Sequence, residues 1–432
     1  MDFVITNGTV ITGDETTLLE AAAVFIKDAR IDGVEEHWTG NIPERAQVLD
    51  ATGCLVIPGL INCHTHGVTP GPLFPSGAPR LPRERWIANL DRHLSEATTT
   101  VLNLCGFATM DDVAEANGCH PVNVKAATCH TPSSLKAAEA VDGTGLTAHT
   151  KQLSVEAMLR AGAVAIGEIG AGHTLGGGGQ DYMYIPLAIE RETGVRLEPR
   201  QARRLKYAAL GRHVRLGEYD EAQMDQAIVE AGLTGKLRPE RAREIIMQCV
   251  LPSFQLALDG FREAAALALQ LGVPALFHNS APSLTAMLAI ARDYATKGAT
   301  LVACHTNHQT FEPGEGRTVA EELRAHKAII ECCTLDTFVR KRLVDSRENW
   351  DRLFVDGSVV DIMGTDYAGG DWDPLLIGIQ DVVQRGYASL PVAIAMATSR
   401  VAKLIPALAP ERGLIQRGKI ADIAVVAQDN LL

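Results

Sequence analysis

The chain has 432 residues, too many for one small core and suited to one large α/β unit with a minor domain. Hydrophobic residues make up 46% of it, no apolar run reaches the roughly 18 residues of a membrane span, and Met1-Asp2-Phe3-Val4-Ile5-Thr6 lacks the basic and apolar regions of a secretory signal. A formal charge of −12 argues against wrapping a nucleic-acid backbone, and nine scattered cysteines without a CxxC pair read as reduced core residues of a cytoplasmic protein.

Residues 3–12 and 23–33 read as short strands, with Asn7-Gly8 as a hairpin signal. Residues 47–50 and 54–56 prolong this β-rich start, and 420–426 is strand-like again. The two chain ends, 1–55 plus 406–432, are therefore expected to form one small β-sandwich-like domain. Between them, eight apolar runs alternate with helical stretches: 56–63, 100–105, 122–129, 163–169, 273–278, 299–305, 327–333 and 359–366. Such alternation predicts parallel βα units, and eight of them predict a closed (β/α)8 TIM barrel over 56–405. After the fourth run, Gly176-Gly177-Gly178-Gly179 reads as a hinge or a close-approach loop, and no Gly-Lys-Ser/Thr follows to make it a phosphate loop. Residues 184–243 then interrupt the rhythm as a charged helical insertion, a lid or oligomer contact on one reading and a solvated hairpin on the other. Its Arg200, Arg203, Arg204, Lys206, Arg212 and Arg215 read as a solvated face rather than as a receptor for an acidic substrate.

The chemistry-bearing residues fall at strand ends. His64 and His66 close the first barrel run one residue apart, so an extended chain aims both imidazoles the same way. Glu168 ends the fourth run, His278 the fifth, His305 the sixth and Asp366 the eighth. Barrel active sites lie at the C-terminal ends of the strands, so these six side chains converge on one mouth. Any one of them could be a helix cap; six at the same end are not explained that way. Four imidazoles and two carboxylates suit Zn²⁺, with Fe²⁺, Mn²⁺ or Co²⁺ also fitting. Six ligands exceed the need of one four-coordinate ion, so two divalent metal ions sharing Glu168 is the economical assignment. Such a pair makes hydroxide from a shared water near neutral pH and polarises a carbonyl. Asp366 binds one ion, takes the proton and delivers it to a leaving nitrogen.

With these residues placed, the chain resembles the metal-dependent amidohydrolase superfamily, in the branch grouped with dihydroorotases, hydantoinases and enamidases. The resemblance spans nearly the whole chain and rests on VIPGLINCHTHG, on His278 and His305, on the GTD of Asp366, and on the closing GLIQRGKIADIAVV. It implies a small β domain built from both ends beside the barrel. It maps the family's His-x-His onto His64 and His66, its later histidines onto His278 and His305, and its aspartate onto Asp366. Many binuclear relatives bridge their ions with a carboxylated lysine. Here GEIGAG puts Glu168 at that place, which makes the chain most like enamidase. The insertion 184–243 is not enamidase-like and leaves the substrate open.

Other residues are candidates for contact with a small-molecule substrate. His130 follows the third run and is expected to face the mouth, where the family's equivalent position can touch substrate; a structural role weighs evenly. His173 lies in the loop after Glu168, and Asn279 and Asn307 could bond ligand histidines or substrate. Tyr182, Tyr184, Tyr367 and Trp372 are expected to line the pocket, His308 to be an outer neighbour of the ligands, and Cys332-Cys333 to be core packing. The activity implied is ring-opening hydrolysis of a small cyclic amide without a covalent enzyme intermediate. An aminohydrolase is disfavoured because Asn279-Ser280, without a glutamate, follows His278. An N-acyl deacetylase stays open, and the full ligand set argues against a silent scaffold. A homo-oligomer is expected, with no nucleic-acid or membrane partner.

Overall fold

The computed structural model describes residues 3–367 and 372–428. Five strands open the chain: β1 (Phe3–Ile11), β2 (Leu18–Lys27), β3 (Arg30–Glu35), β4 (Gln47–Asp50) and β5 (Cys54–Pro58). Eight more follow, each leading into helical chain: β6 (Leu60–Thr65), β7 (Thr98–Asn103), β8 (Asn123–Thr128), β9 (Ala165–Ile169), β10 (Ala275–His278), β11 (Leu301–Cys304), β12 (Ile329–Cys333) and β13 (Ile362–Gly364). The last is β14 (Ile423–Ala427).

Strands β6 to β13 form one parallel eight-stranded sheet in sequence order. Every residue of β6 and β10 is buried, as expected of strands covered on both faces. The sheet closes on itself at its last pair: the Asp366 N–H donates to the His64 carbonyl at 3.0 Å and the His66 N–H to the Tyr367 carbonyl at 2.6 Å. Asn62 latches the same seam. Its Nδ2 donates to Thr365 Oγ1 at 2.7 Å, and its Oδ1 accepts the N–H groups of His64 and Thr365 at 3.1 and 3.2 Å. The result is a (β/α)8 barrel. Beside it, β14 pairs antiparallel with β5 and joins β1 to β4 in a separate six-stranded sheet built from both chain ends.

Two local expectations need correction. The run 56–63 is not one strand: β5 belongs to the small sheet and β6 to the barrel, with Gly59 between them. A Cβ at Gly59 would collide with the Thr99 side chain, so only glycine lets the two sheets meet there. Asn7-Gly8 is not a hairpin turn either. β1 runs straight through it with a break in register, because pairing with β4 and β5 holds the strand extended. The β2–β3 hairpin turns instead at Asp28-Ala29, both at positive φ (50° and 58°), as a primed turn requires.

Four helices stand between β9 and β10: α1 (Ile185–Thr193), α2 (Pro199–Leu210), α3 (Glu221–Glu230) and α4 (Pro239–Leu271). They enclose a core of their own, from Ile185 through Leu205 and Met224 to Val250. The basic cluster is not a solvated face throughout. Lys206 is buried against Asp181 at 2.6 Å, because a buried ammonium needs a counter-charge. Arg203 donates to the Leu343 carbonyl at 3.0 Å, and Arg212 donates to the Thr310 carbonyl at 2.9 Å, which fastens these helices to loops of the barrel mouth. Arg204 and Arg215 pair within the insertion. Among the described residues no helix is long and apolar enough to cross a membrane.

Candidate active site

The six strand-end residues meet at the C-terminal mouth of the barrel. Glu168 lies at their centre and turns its two oxygens in different directions. Oε1 is 2.8 Å from His278 Nδ1 and 3.0 Å from His305 Nε2. Oε2 faces the other pair, 3.9 Å from His64 Nε2 and 3.8 Å from His66 Nε2. Asp366 closes that side, its Oδ1 3.4 Å from His64 Nε2 and 3.2 Å from His66 Nε2. Of the four donor sets among the described residues, two overlap on Glu168, His64–His66–Glu168 and Glu168–His278–His305; the others are His64–His305–Asp366 and His64–Glu331–Cys333, the atoms of each set lying within 4.8 Å of one another. The four histidines and Glu168 are buried, whereas the Asp366 side chain is 21% exposed and stands at the opening.

The electrostatics favour positive charge on the His64–His66 side of this cluster, whereas burial and the neighbouring His305 push His278 down. Burial alone would depress His64 and His66, but the carboxylates of Glu331, Asp366 and Glu168 outweigh it at His64, and Asp366 and Cys105 do so at His66. The two imidazoles rise to about 9 and about 10. Burial would likewise push Glu168 and Asp366 up, yet the surrounding imidazoles win and hold both below the usual carboxylate range. His64 Nε2 is buried with no hydrogen-bond partner among the described residues, a donor atom aimed at both carboxylates.

Outer contacts fix the orientation of these side chains. Glu331, in the middle of β12, accepts from His64 Nδ1 at 2.9 Å and from the His305 N–H at 3.2 Å. Sequence reasoning missed it, although an acidic residue inside the apolar run Ile329-Ile330-Glu331-Cys332-Cys333 is itself a signal, since a buried carboxylate needs partners. Gly364 makes room for it: a Cβ there would lie 2.5 Å from Glu331 Oε1 and 2.9 Å from His64 Cβ. The other imidazole of the His-x-His has a thiol beside it, with Cys105 Sγ 3.8 Å from His66 Nδ1. Cys333 is buried as expected of core packing, but its Sγ also lies 3.7 Å from His64 Nδ1.

Above the cluster opens a cleft of about 840 Å³, including the space it shares with solvent. His66, Glu168, His278 and Asp366 reach it from below, with Phe74, Tyr182, Leu343 and Trp372 on its walls. His173 lines it too, stacked on Phe74 with ring centroids 4.2 Å apart. Burial and the neighbouring charge of His66 push His173 down to about 3, so it is neutral. The glycine run is a close-approach loop: a Cβ on Gly179 would sit 2.5 Å from His173 Nδ1, and one on Gly177 3.2 Å from His278 Nε2.

Several expected contact residues do not line the cleft. His130 packs edge-on against Phe107 and bonds Thr128 Oγ1 at 2.8 Å through Nδ1. The Asn279 amide donates to Thr306 Oγ1 at 3.1 Å. Asn307 exchanges both its hydrogen bonds with the backbone of Cys333, at 2.8 and 3.0 Å, so its amide braces β11 against β12. Tyr367 donates to Asn89 Oδ1 at 3.3 Å and packs on His93, and the Tyr184 hydroxyl donates to Asp142 at 2.9 Å and accepts from Ser76 Oγ at 3.1 Å. For Asn307, Tyr367 and Tyr184 a neighbour within the fold takes the polar group that substrate was expected to meet, while His130 Nε2 and Asn279 Oδ1 are buried without a hydrogen-bond partner among the described residues. His308, expected as an outer neighbour of the ligands, does line the cleft.

Known proteins share this architecture. L-hydantoinase (dihydropyrimidinase) from Arthrobacter aurescens superposes over 98% of this chain and 86% of its own, with a TM-score of 0.57 and 14% identity. N-acyl-D-glutamate deacylase from Bordetella bronchiseptica, solved with zinc and a phosphonate inhibitor, covers 98% and 90% at a TM-score of 0.56 and 16% identity. Beta-aspartyl dipeptidase from Fervidobacterium islandicum covers 100% and 93% at 0.53 and 15%. In sequence, allantoinase from Salmonella gallinarum is 40% identical over 70 residues, which are 16% of this chain and 14% of that protein. The chain thus matches less than a fifth of the length of its curated relatives. No protein-family profile matches it. At these identities the structural likenesses are likenesses of fold.

Proposed function

We propose that the protein is a metal-dependent hydrolase of the amidohydrolase superfamily, cleaving a carbon–nitrogen bond other than a peptide bond, with a small cyclic amide as substrate. One observation carries this reading: Glu168 offers one oxygen to each of two histidine pairs beneath a cleft. The donor chemistry fits two divalent ions, Zn²⁺ before Fe²⁺, Mn²⁺ or Co²⁺. Its fit shows in the buried, unpartnered Nε2 of His64 and in the field that raises His64 and His66. His64, His66 and Asp366 would hold one ion, His278 and His305 the other, with Glu168 between them. Bound ions supply a Lewis acid for a carbonyl oxygen and lower the pKa of water to near 7.

The chain's own groups do the rest. Asp366 is ionised at neutral pH and stands at the cleft, so it takes the proton from the attacking water and passes it to the departing nitrogen. Neutral His173 offers a hydrogen bond from the wall without adding charge. Phe74, Tyr182 and Trp372 give the cleft an aromatic lining that suits a planar ring.

The test is a screen of metal-loaded protein against lactams, hydantoins, dihydropyrimidines, N-acyl amino acids and amino-substituted heterocycles, with products read by mass. Ring opening adds one water and leaves a single product. Deacylation gives two products, and deamination releases ammonia. Release of ammonia alone, or two-product cleavage alone, replaces the cyclic-amide assignment; no turnover of any class removes the hydrolase reading.

A further inference from the structure

We propose that His308 donates a hydrogen bond from Nε2 to the oxygen of the scissile carbonyl, a role that rests on the hydrolase reading of the site. His308 follows β11 in the loop after His305, is 4% exposed, and lines the cleft. Its ring centroid lies 5.1 Å from that of His278 and 5.2 Å from that of His305. It belongs to none of the metal-competent donor sets among the described residues.

Its tautomer is set by the backbone. The Thr310 N–H donates to His308 Nδ1 at 3.3 Å, and Thr310 Oγ1 lies 2.8 Å from the same nitrogen. That hydroxyl oxygen already accepts the Ala281 N–H at 3.0 Å, which leaves its own proton for Nδ1. Nδ1 is therefore an acceptor, and the proton of a neutral imidazole sits on Nε2. Among the described residues no hydrogen bond takes Nε2.

The loop is held as well. Asn349 Nδ2 donates to the His308 carbonyl at 3.1 Å, and Arg212 donates to the Thr310 carbonyl at 2.9 Å. His308 is thus a neutral, orientation-fixed N–H beside the histidine pair. The carboxylates of the floor, Glu168 and Asp366, can only accept hydrogen bonds, so they match an amide nitrogen. The amide oxygen accepts hydrogen bonds, and His308 is an uncharged N–H donor packed against His278 and His305, beside the Lewis acid that bound ions would supply. An N–H held in place before reaction favours the oxygen most strongly as negative charge develops on it.

The experiment compares His308→Phe and His308→Gln with wild type on whichever cyclic amide of the screen wild type opens, with metal content per chain measured for each. It is paired with nitrogen-15 NMR of the histidine rings in the wild-type protein. His308→Phe is expected to lower kcat by about 100- to 1000-fold with KM and metal content unchanged. His308→Gln, which restores an N–H donor, is expected to recover part of the loss. The NMR is expected to show His308 protonated at Nε2 and bare at Nδ1. Full kcat in His308→Phe, loss of metal in that variant, or a proton on Nδ1 overturns the proposal. The NMR arm decides even where a variant fails to fold. Absence of turnover by wild type overturns the hydrolase reading itself, a distinguishable failure.

Discussion

Asp366 and Glu331 are both buried-site carboxylates, but they face opposite ends of His64. Asp366 approaches Nε2 from the cleft, while Glu331 holds Nδ1 from inside the barrel. Their substitutions should separate accordingly. Asp366→Asn keeps an oxygen ligand and loses the proton carrier, so metal content holds while kcat falls by roughly 100-fold or more; a fully active variant contradicts the proton-transfer role. Glu331→Ala frees the His64 ring, and metal affinity should fall about 10- to 100-fold in competition with a chromogenic chelator. The pH dependence follows from the raised imidazoles. With folded values near 9 and 10, His64 and His66 of the metal-free protein carry protons at neutral pH. Their contribution to stability is complete below about pH 6.5, the unfolded value, and is lost as pH rises through the folded values. A ligand histidine must give its proton up, so ion uptake at about pH 7.5 releases protons and affinity climbs with pH up to that window. Calorimetric titration in buffers of different ionisation enthalpy counts the protons; uptake without release contradicts the electrostatic account.

At the scale of elements, the site is presented by strand ends and shaped by the loops fastened over them. Arg203 of α2 ties the insertion to Leu343 and Asp345, and Leu343 lines the cleft. Arg203→Ala should therefore raise KM about tenfold, roughly 1.4 kcal/mol, with metal content unchanged; an unchanged KM would mean that the tie does not shape the cleft. The strand-end residues were legible in the sequence because parallel strands in chain order place every C-terminus at one mouth, which is where His64, His66, Glu168, His278, His305 and Asp366 stand. The role of Glu331 was not: one acid in an apolar run signals a buried partner, but that partner, His64, lies 267 positions away. The Asn7-Gly8 signal lost to tertiary pairing of β1 with three neighbours. The run 56–63 stayed undivided because hydrophobicity continues across Gly59, and only the meeting of two sheets splits it. Asn307 and Tyr367 carry the polar groups a substrate contact needs, but cross-chain bonds to Cys333 and Asn89 take them.

For the whole molecule, the cluster lies where the barrel closes, with Asn62 and Thr365 joining the first strand to the end of the last. Ions bound to His64 and His66 of β6 and its end, to Asp366 past β13, and to Glu168 of β9 would clamp the seam that the fold depends on. Binding to the native state alone stabilises it by mass action, about 2.7 kcal/mol at a hundredfold excess over Kd. Chelation should therefore lower Tm by several degrees, and readdition of the ion should restore it. The two donor sets on Glu168 are the central claim, and the most direct test is metal content per chain by elemental mass spectrometry on protein purified without added metal. The account predicts about two ions per chain in wild type, falling to one or none in Glu168→Ala. About one ion per chain, unchanged by that substitution, contradicts it.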